Sequence, residues 1–184
     1  MIKDKVEIFG DYAHNLEPRV ENLLKEFEEY SPEPTRNLVE ACGICMDELE
    51  KFVLSIERSE ELAEKFISDL RKLACIAMAG HHYIFGLQNQ VSRLANKMTD
   101  LYRRKNSDYD DAFGKSLDRY GFVAAIVRMN DKVNRLHSLV CNNQEVQVKE
   151  ESVADTFIDL ANYAIMTLVW IDYKAQQDAE EEEE

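Results

Sequence analysis

Apolar residues recur at intervals of three and four along almost the whole chain, the spacing that keeps them on one face of an α-helix. With only 6 glycines and 3 prolines there are few obligatory breaks, so the pattern predicts an all-α fold, a bundle of about five to six helices. A first helix is expected from Pro18 to Tyr30, ended by Ser31-Pro32-Glu33-Pro34. Thr35 then caps a second, which carries Leu38, Cys42, Cys45, Leu49, Phe52 and Ile56 on one face. Ser59 with Glu60 and Glu61 starts a third that turns Leu62, Phe66, Leu70 and Leu73 inward and has Gly80 near its end; a fourth covers 83–104. Asn106, Ser107, Asp108, Asp110, Asp111, Gly114 and Gly121 interrupt the rhythm, so 105–121 reads as an ordered loop holding a short helix. Phe122, Ile126, Met129, Val133, Leu136 and Val140 then alternate four and three along one stripe of the next helix. After a polar connector at 141–148, the last helix runs from near Lys149 to about Lys174, and the acidic end at 178–184 is expected to be disordered.

A chain of 184 residues buries enough surface to fold without disulfides or metal. Its net charge of −14 argues against gripping duplex nucleic acid, which draws affinity from clustered Lys and Arg. Six of those charges lie in 178–184, so the remainder, at about −8, has room for a local basic pocket. The first ten residues lack the apolar core of a signal peptide, and the longest apolar stretch, Leu160 to Ile171, is broken by Asn162 and too short to span a bilayer. A cytoplasmic protein with no membrane partner is expected. Of the four cysteines, Cys42 and Cys45 form one Cys-x-x-Cys, but no second pair stands at zinc-site spacing, and reduced thiols fit better.

Candidate chemistry begins on the last helix. Glu151, Asp155, Asp159 and Asn162 follow at i, i+4, i+8 and i+11, within an arc of about 80°. Such an arc is either a solvated face opposite Val153, Phe157, Leu160, Ala164 and Leu168, or a place where a divalent cation holds several carboxylates together. The same side turns apolar at Met166 and Val169, which puts the acids at the mouth of a buried helix and favours the cation. Oxygen ligands of this kind suit Mg²⁺ or Mn²⁺. On the preceding helix Arg128, Asp131, Lys132 and Arg135 lie within about 100°, opposite the apolar stripe. Alone they are a surface of i,i+4 ion pairs; beside the acidic helix they are the cations that a metal-bound polyphosphate needs. Lys105, Asp108, Tyr109 and Phe113 combine charge and rings suited to closing over a nucleotide, or to ordinary loop capping and core insertion. Gly114-Lys115-Ser116 is not a P-loop, since Tyr109 stands where the earlier glycine belongs and no strand precedes it. His81 and His82 have no partner at ligand spacing and are expected to be structural, and no nucleophile elbow points to serine hydrolase chemistry.

Three blocks in order carry a family resemblance: Lys105-x-x-Asp108-Tyr109-x-x-Ala112-Phe113, Arg128-Met129-x-Asp131-Lys132-x-Asn134-Arg135-Leu136, and Glu151-Ser152-x-x-Asp155-Thr156-x-x-Asp159-Leu160-Ala161-Asn162-Tyr163-Ala164. Over residues 105–164 the chain resembles the nucleotide-modification-associated helical family found largely in phages and bacteria, which is similar to MazG-like all-α nucleoside triphosphate pyrophosphohydrolases. The resemblance implies a MazG-like core in which Mg²⁺ or Mn²⁺ holds a triphosphate while water releases a nucleoside monophosphate and pyrophosphate. It implies Glu151 and Asp155 as metal ligands, and Asp131 and Asp159 as further ligands or the water-orienting base. Lys105, Arg128, Lys132 and Arg135 become phosphate contacts, Tyr109 lines the base or sugar pocket, and Asp108 and Asn162 complete the substrate site. Two positions depart from the pattern: the helix of 122–140 offers only Asp131 where a Glu-Glu-x-x-Glu run belongs, and Asp110 replaces a glycine. Glu40, Asp47 and Glu48 are candidates for the missing acids.

The expected organisation is therefore an N-terminal helical region, 1–104, that completes the bundle or forms a homo-oligomer interface, a nucleotide pyrophosphohydrolase-like region, 105–177, and the tail, 178–184. The expected activity is Mg²⁺-dependent hydrolysis of a nucleoside triphosphate. Two competitors stand beside it: a protein that sequesters a nucleotide without hydrolysis, favoured by the thin acidic set at 122–140, and a helical module whose acidic surface contacts a basic protein.

Overall fold

The computed structural model describes residues 3–30, 33–56, 59–85, 91–142, 144 and 152–183. Among them the chain is all-α: α1 (Lys5–Asn15), α2 (Glu17–Tyr30), α3 (Pro34–Leu54), α4 (Glu60–Phe85), α5 (Val91–Asp108), α6 (Ala112–Tyr120), α7 (Phe122–Leu136) and α8 (Val153–Glu183). A π turn, His137–Cys141, prolongs α7. No described helix is long and apolar enough to cross a membrane.

The helix count exceeds the expected five to six at two places. The first is α1, which the pattern left unassigned although its signals are present. Asp4 caps it by accepting from the backbone N–H of Val6 and Glu7, both at 2.8 Å, and Ile8, Phe9 and Ala13 recur at helical spacing inside the core. The second is 105–121, expected to be an ordered loop holding a short helix, which is present as α6. Here α5 runs on to Asp108, and α6 follows after only three residues. The polar residues at 106–108 that interrupt the apolar rhythm belong to the outward part of α5, because a helix needs an apolar face and not an apolar circumference.

Other boundaries also move. α3 ends at Leu54, so Ile56, expected on its inner face, is fully exposed. Ser59 does cap α4, accepting from Leu62 N–H at 3.2 Å. That helix then continues past Gly80 through His81 and His82 to Phe85, and the expected fourth helix from 83 is replaced by α5 from Val91, with 86–90 outside the described residues. Most of the connector at 141–148 also lies outside them. α8 continues through Glu183, so residues 178–183 of the acidic end expected to be disordered are helical. Elongation gains one backbone hydrogen bond for each residue ordered, and Ala, Gln and Glu are good helix formers.

α8 is the axis of the bundle. Phe157, Leu160, Ala161, Ala164, Ile165, Leu168 and Val169 are at most 1% exposed, and α4, α7 and α1 surround them. The closest approach is to α4, at Gly80. A Cβ there would stand 2.6 Å from Phe157 Cζ and 2.7 Å from Cδ1, so only glycine admits the ring. One residue on, His81 Nδ1 lies 3.0 Å from the Ala154 carbonyl oxygen, and burial pushes the imidazole pKa down. His81 is a neutral packing residue that ties α4 to the start of α8. Cys42 and Cys45 are free thiols inside α3, and burial raises both.

Gly80→Ala tests this contact. In an open helix that change stabilises by roughly 0.5–1 kcal/mol. Here we expect overpacking to reverse the sign and cost about 1–3 kcal/mol in urea unfolding. An unchanged or raised midpoint would show that α4 and α8 do not meet at this height.

Candidate functional site

α5, α6, α7 and α8 enclose a cleft of about 700 Å³, within the ordinary range for small-molecule sites. One stripe of α8 forms its floor: Asp159, Asn162, Tyr163 and Met166 fall at i, i+3, i+4 and i+7 and so share a face. α5 supplies Leu101, Tyr102, Lys105 and Asn106; α6 supplies Ala112, Phe113, Ser116 and Tyr120; α7 supplies Val123, Ala124, Val127 and Arg128. Tyr109 stands in the turn between α5 and α6.

That turn is built from charge. Asp110 and Asp111 both take left-handed backbone, with φ of 49° and 51°, a conformation Asp tolerates better than most side chains. Asp111 is held from a distant part of the chain, because Lys5 on α1 donates to its carboxylate at 2.5 Å in a half-buried pair. The carboxylate also lies against Gly114, where a Cβ would come within 2.8 Å of Asp111 Oδ1. Gly114 serves the turn, which explains a glycine beside Lys115 and Ser116 without a phosphate loop. Lys115 pairs instead with Asp110.

The charged end of the cleft centres on Asp159. Its Oδ2 accepts from Lys132 Nζ at 2.9 Å, and its Oδ1 faces Lys105 Nζ at 4.0 Å. Arg135 donates from Nε to Thr156 Oγ1 at 3.2 Å, so residue numbers rise along α7 as they fall along α8 and the two helices run antiparallel. At the apolar end the rings of Phe113 and Tyr163 meet at 5.3 Å, tilted by 49°. Asn162 is 9% exposed, and among the described residues its buried amide oxygen has no hydrogen-bond partner. An unsatisfied buried acceptor costs on the order of 1–3 kcal/mol.

Of the residues singled out from sequence, Lys105, Tyr109, Phe113, Arg128, Asp159 and Asn162 line the cleft, and Lys132 reaches it through Asp159. Asp108 and Asp131 are exposed outside the lining, and Arg135 is directed to the first turn of α8. Glu151 lies outside the described residues. Asp155 closes a reciprocal cap on α8: it accepts from Ser152 Oγ at 2.6 Å and Ser152 N at 3.2 Å, while its own N–H donates to Ser152 Oγ at 3.1 Å. Ser152 thereby holds the Asp155 carboxyl below the usual carboxylate range. A helix cap accounts for this acid. Glu40 and Glu48 are engaged at the surface by Arg36 and by Lys51 and Lys65, and neither they nor Asp47 line the cleft.

The described part of the cleft does not assemble ligands for a divalent cation, and Glu151, expected to be one of them, lies outside the described residues. Among the described residues no group of three or more His, Cys, Asp or Glu side chains converges, and the one carboxylate in the cleft wall is faced by two lysines. The sequence pattern missed Asn106, Tyr120, Tyr163, Val123 and Val127. Val123 and Val127 carried a usable signal, a second apolar pair spaced by four and lying off the buried stripe of α7; they are 51% and 54% exposed at the rim.

The cap predicts a pH dependence. Because folding lowers the Asp155 pKa, its stabilisation is present above the unfolded carboxylate pKa and is lost as pH falls through the folded value. Ser152→Ala should cost about 1 kcal/mol at neutral pH. In urea melts run down a pH series, the difference from the parent chain should narrow at acid pH to the share of the Asp155 N–H to Ser152 Oγ bond, which does not titrate; a constant difference would refute the charged cap.

No curated protein and no solved structure matches the chain. The stretch 105–171, which supplies all of the cleft wall except Leu101 and Tyr102, is similar to a family of known description: it matches the model of nucleotide modification associated domain 1.

Proposed function

We propose that this cleft binds a phosphorylated nucleotide. The observation that carries the reading is that one cleft is lined both by the cations Lys105 and Arg128 and by the rings of Tyr109, Phe113 and Tyr163. Guanidinium and ammonium groups recognise phosphate oxygens by charge-assisted hydrogen bonds, and aromatic faces take up a base. The family match over 105–171 points the same way. Asp159 serves as an anchor: with Lys132 behind it and Lys105 across from it, it orders two flexible cations before a ligand arrives. The overall negative charge of the chain confines this positive potential to the cleft and disfavours duplex nucleic acid as the ligand.

Hydrolysis of a triphosphate is the stronger form of this reading. It rests on the likeness to MazG-like enzymes and asks for several acids on one cation, of which the described part of the cleft offers Asp159. Binding without turnover is the form that the geometry supports best.

Incubation with ribo- and deoxynucleotides, with Mg²⁺, Mn²⁺ or EDTA, followed by anion exchange of the products, separates the two forms. The ligand is expected back unchanged. Release of monophosphate and pyrophosphate, lost in EDTA, would establish hydrolysis instead. In titration calorimetry Arg128→Ala should weaken nucleotide binding about 10- to 100-fold, the worth of one charge-assisted contact of about 1.5–3 kcal/mol. Equal affinity in the parent chain and Arg128→Ala, or no rise in melting temperature with any nucleotide, would leave the helical interaction module as the better account.

A further inference from the structure

We infer that this cleft selects its ligand by apolar contact with the base: at the end away from Asp159 it favours a base that carries a methyl group over the same base without one. The inference rests on the nucleotide reading above and deepens it.

The register of α7 against α8 orders the cleft wall. At one end Lys132 and Lys105 face Asp159. Four residues along each helix, in opposite directions, Arg128 stands level with Tyr163, whose ring packs on Phe113 of α6. Further along, the ring of Phe122 meets Trp170 edge-on with centroids 5.7 Å apart. The stretch 123–127 is therefore level with α8 between Tyr163 and Trp170, where Met166 lines the cleft. Tyr120 ends α6, and only Gly121 separates it from α7.

Charge disappears along this order. The side chains that line the last level are Tyr120, Val123, Ala124, Val127 and Met166. None is ionic, and the Tyr120 hydroxyl is the one polar side-chain atom among them. Ser116, also on the α6 wall, donates its hydroxyl back to the Ala112 carbonyl at 2.8 Å. The phosphate of a nucleotide belongs with the cations at the earlier levels, by charge-assisted hydrogen bonds. The base is the uncharged part of the ligand, and it loses least by entering the level that offers few polar partners.

Exposure marks the same end. Among the described residues nine large apolar side chains are exposed, and four of them, Tyr109, Tyr120, Val123 and Val127, line this one cleft. Apolar side chains scattered singly over a surface need no account, whereas a contiguous group marks a binding surface. Val123 and Val127 lie one turn apart on α7, and each keeps about half of its surface for contact. Their methyl groups cannot read the donors and acceptors of a base edge. They gain by covering apolar atoms, of which the C5-methyl group of thymine is the plainest example.

The test is calorimetric titration of the full chain with nucleotides in two kinds of comparison, each as mono- and triphosphate with Mg²⁺. Uracil against cytosine and hypoxanthine against adenine keep the ring shape and exchange an acceptor for a donor. Uracil against thymine, cytosine against 5-methylcytosine and adenine against 2-methyladenine keep the donors and acceptors and add a methyl group. In the series that binds, each methylated base should bind about fourfold more tightly, the worth of one buried methyl group, and the exchanged pairs should agree within about threefold. Combining Val123→Ser with Val127→Ser should remove the methyl preference. Ile44→Ser, an exposed apolar side chain lost from α3, is the control and should keep it. The comparisons in the parent chain decide even where the double variant fails to fold. Methylated and plain bases that bind alike, exchanged pairs that differ by about tenfold or more, or a methyl preference undiminished in the double variant would overturn this inference and leave the nucleotide reading intact. Absence of binding by every nucleotide would sink both.

Discussion

Phe157 lies against Gly80 with no space for a methyl group between them, and this contact sets how far α8 is drawn into the bundle. The height of α8 in turn sets everything the cleft presents. It brings Asp159 level with Lys132, Thr156 level with Arg135, and Tyr163 level with Phe113 of α6. A helix buried over most of its surface is also a rigid platform, since its side chains have no solvent into which to relax. The floor stripe from Asp159 to Met166 therefore rests on the best-packed element of the molecule.

Electrostatics then works against the average. The chain carries −14 overall, yet Lys105 and Arg128 line the cleft, and Lys105 and Lys132 face the Asp159 carboxylate. In a partly enclosed space such a cluster holds its potential better than on open surface, where solvent and salt screen it. Asp159 has a positioning use here that a metal ligand would not have. Lys132 pairs with one of its oxygens and Lys105 faces the other, so the carboxylate fixes where both ammonium groups stand.

The N-terminal helices take part in the site although no motif there announces it. Lys5 of α1 clamps Asp111, the second of two left-handed residues in the turn that carries Tyr109. Phe9, also on α1, stacks on Tyr102 of the cleft wall with ring centroids 4.5 Å apart. The described N-terminal helices are thus joined to the stretch 105–171 through one core. A boundary at 104 would cut α5 four residues before its end.

Much of the architecture was legible in the chain itself. The stripe from Phe122 to Val140, the Ser59 cap and the turn to apolar residues at Met166 and Val169 are local signals, and helix formation responds to local spacing and capping. Six residues of the cleft wall were also legible: Asp159 and Asn162 from a shared face of one helix, Arg128 from the charged face of the helix before it, and Lys105, Tyr109 and Phe113 from charge and rings gathered in one short stretch. What the sequence could not decide is which of several acids on one face would meet the cations. Asp155 and Asp159 are one turn apart and chemically alike, and their roles separate only because Ser152 draws one into a helix cap while α7 brings Lys132 to the other. Nor could it show that Gly80 continues a helix or that Gly114 serves an aspartate. Those outcomes depend on Phe157 and on Lys5, residues far away in the chain, and only the closed bundle brings them near.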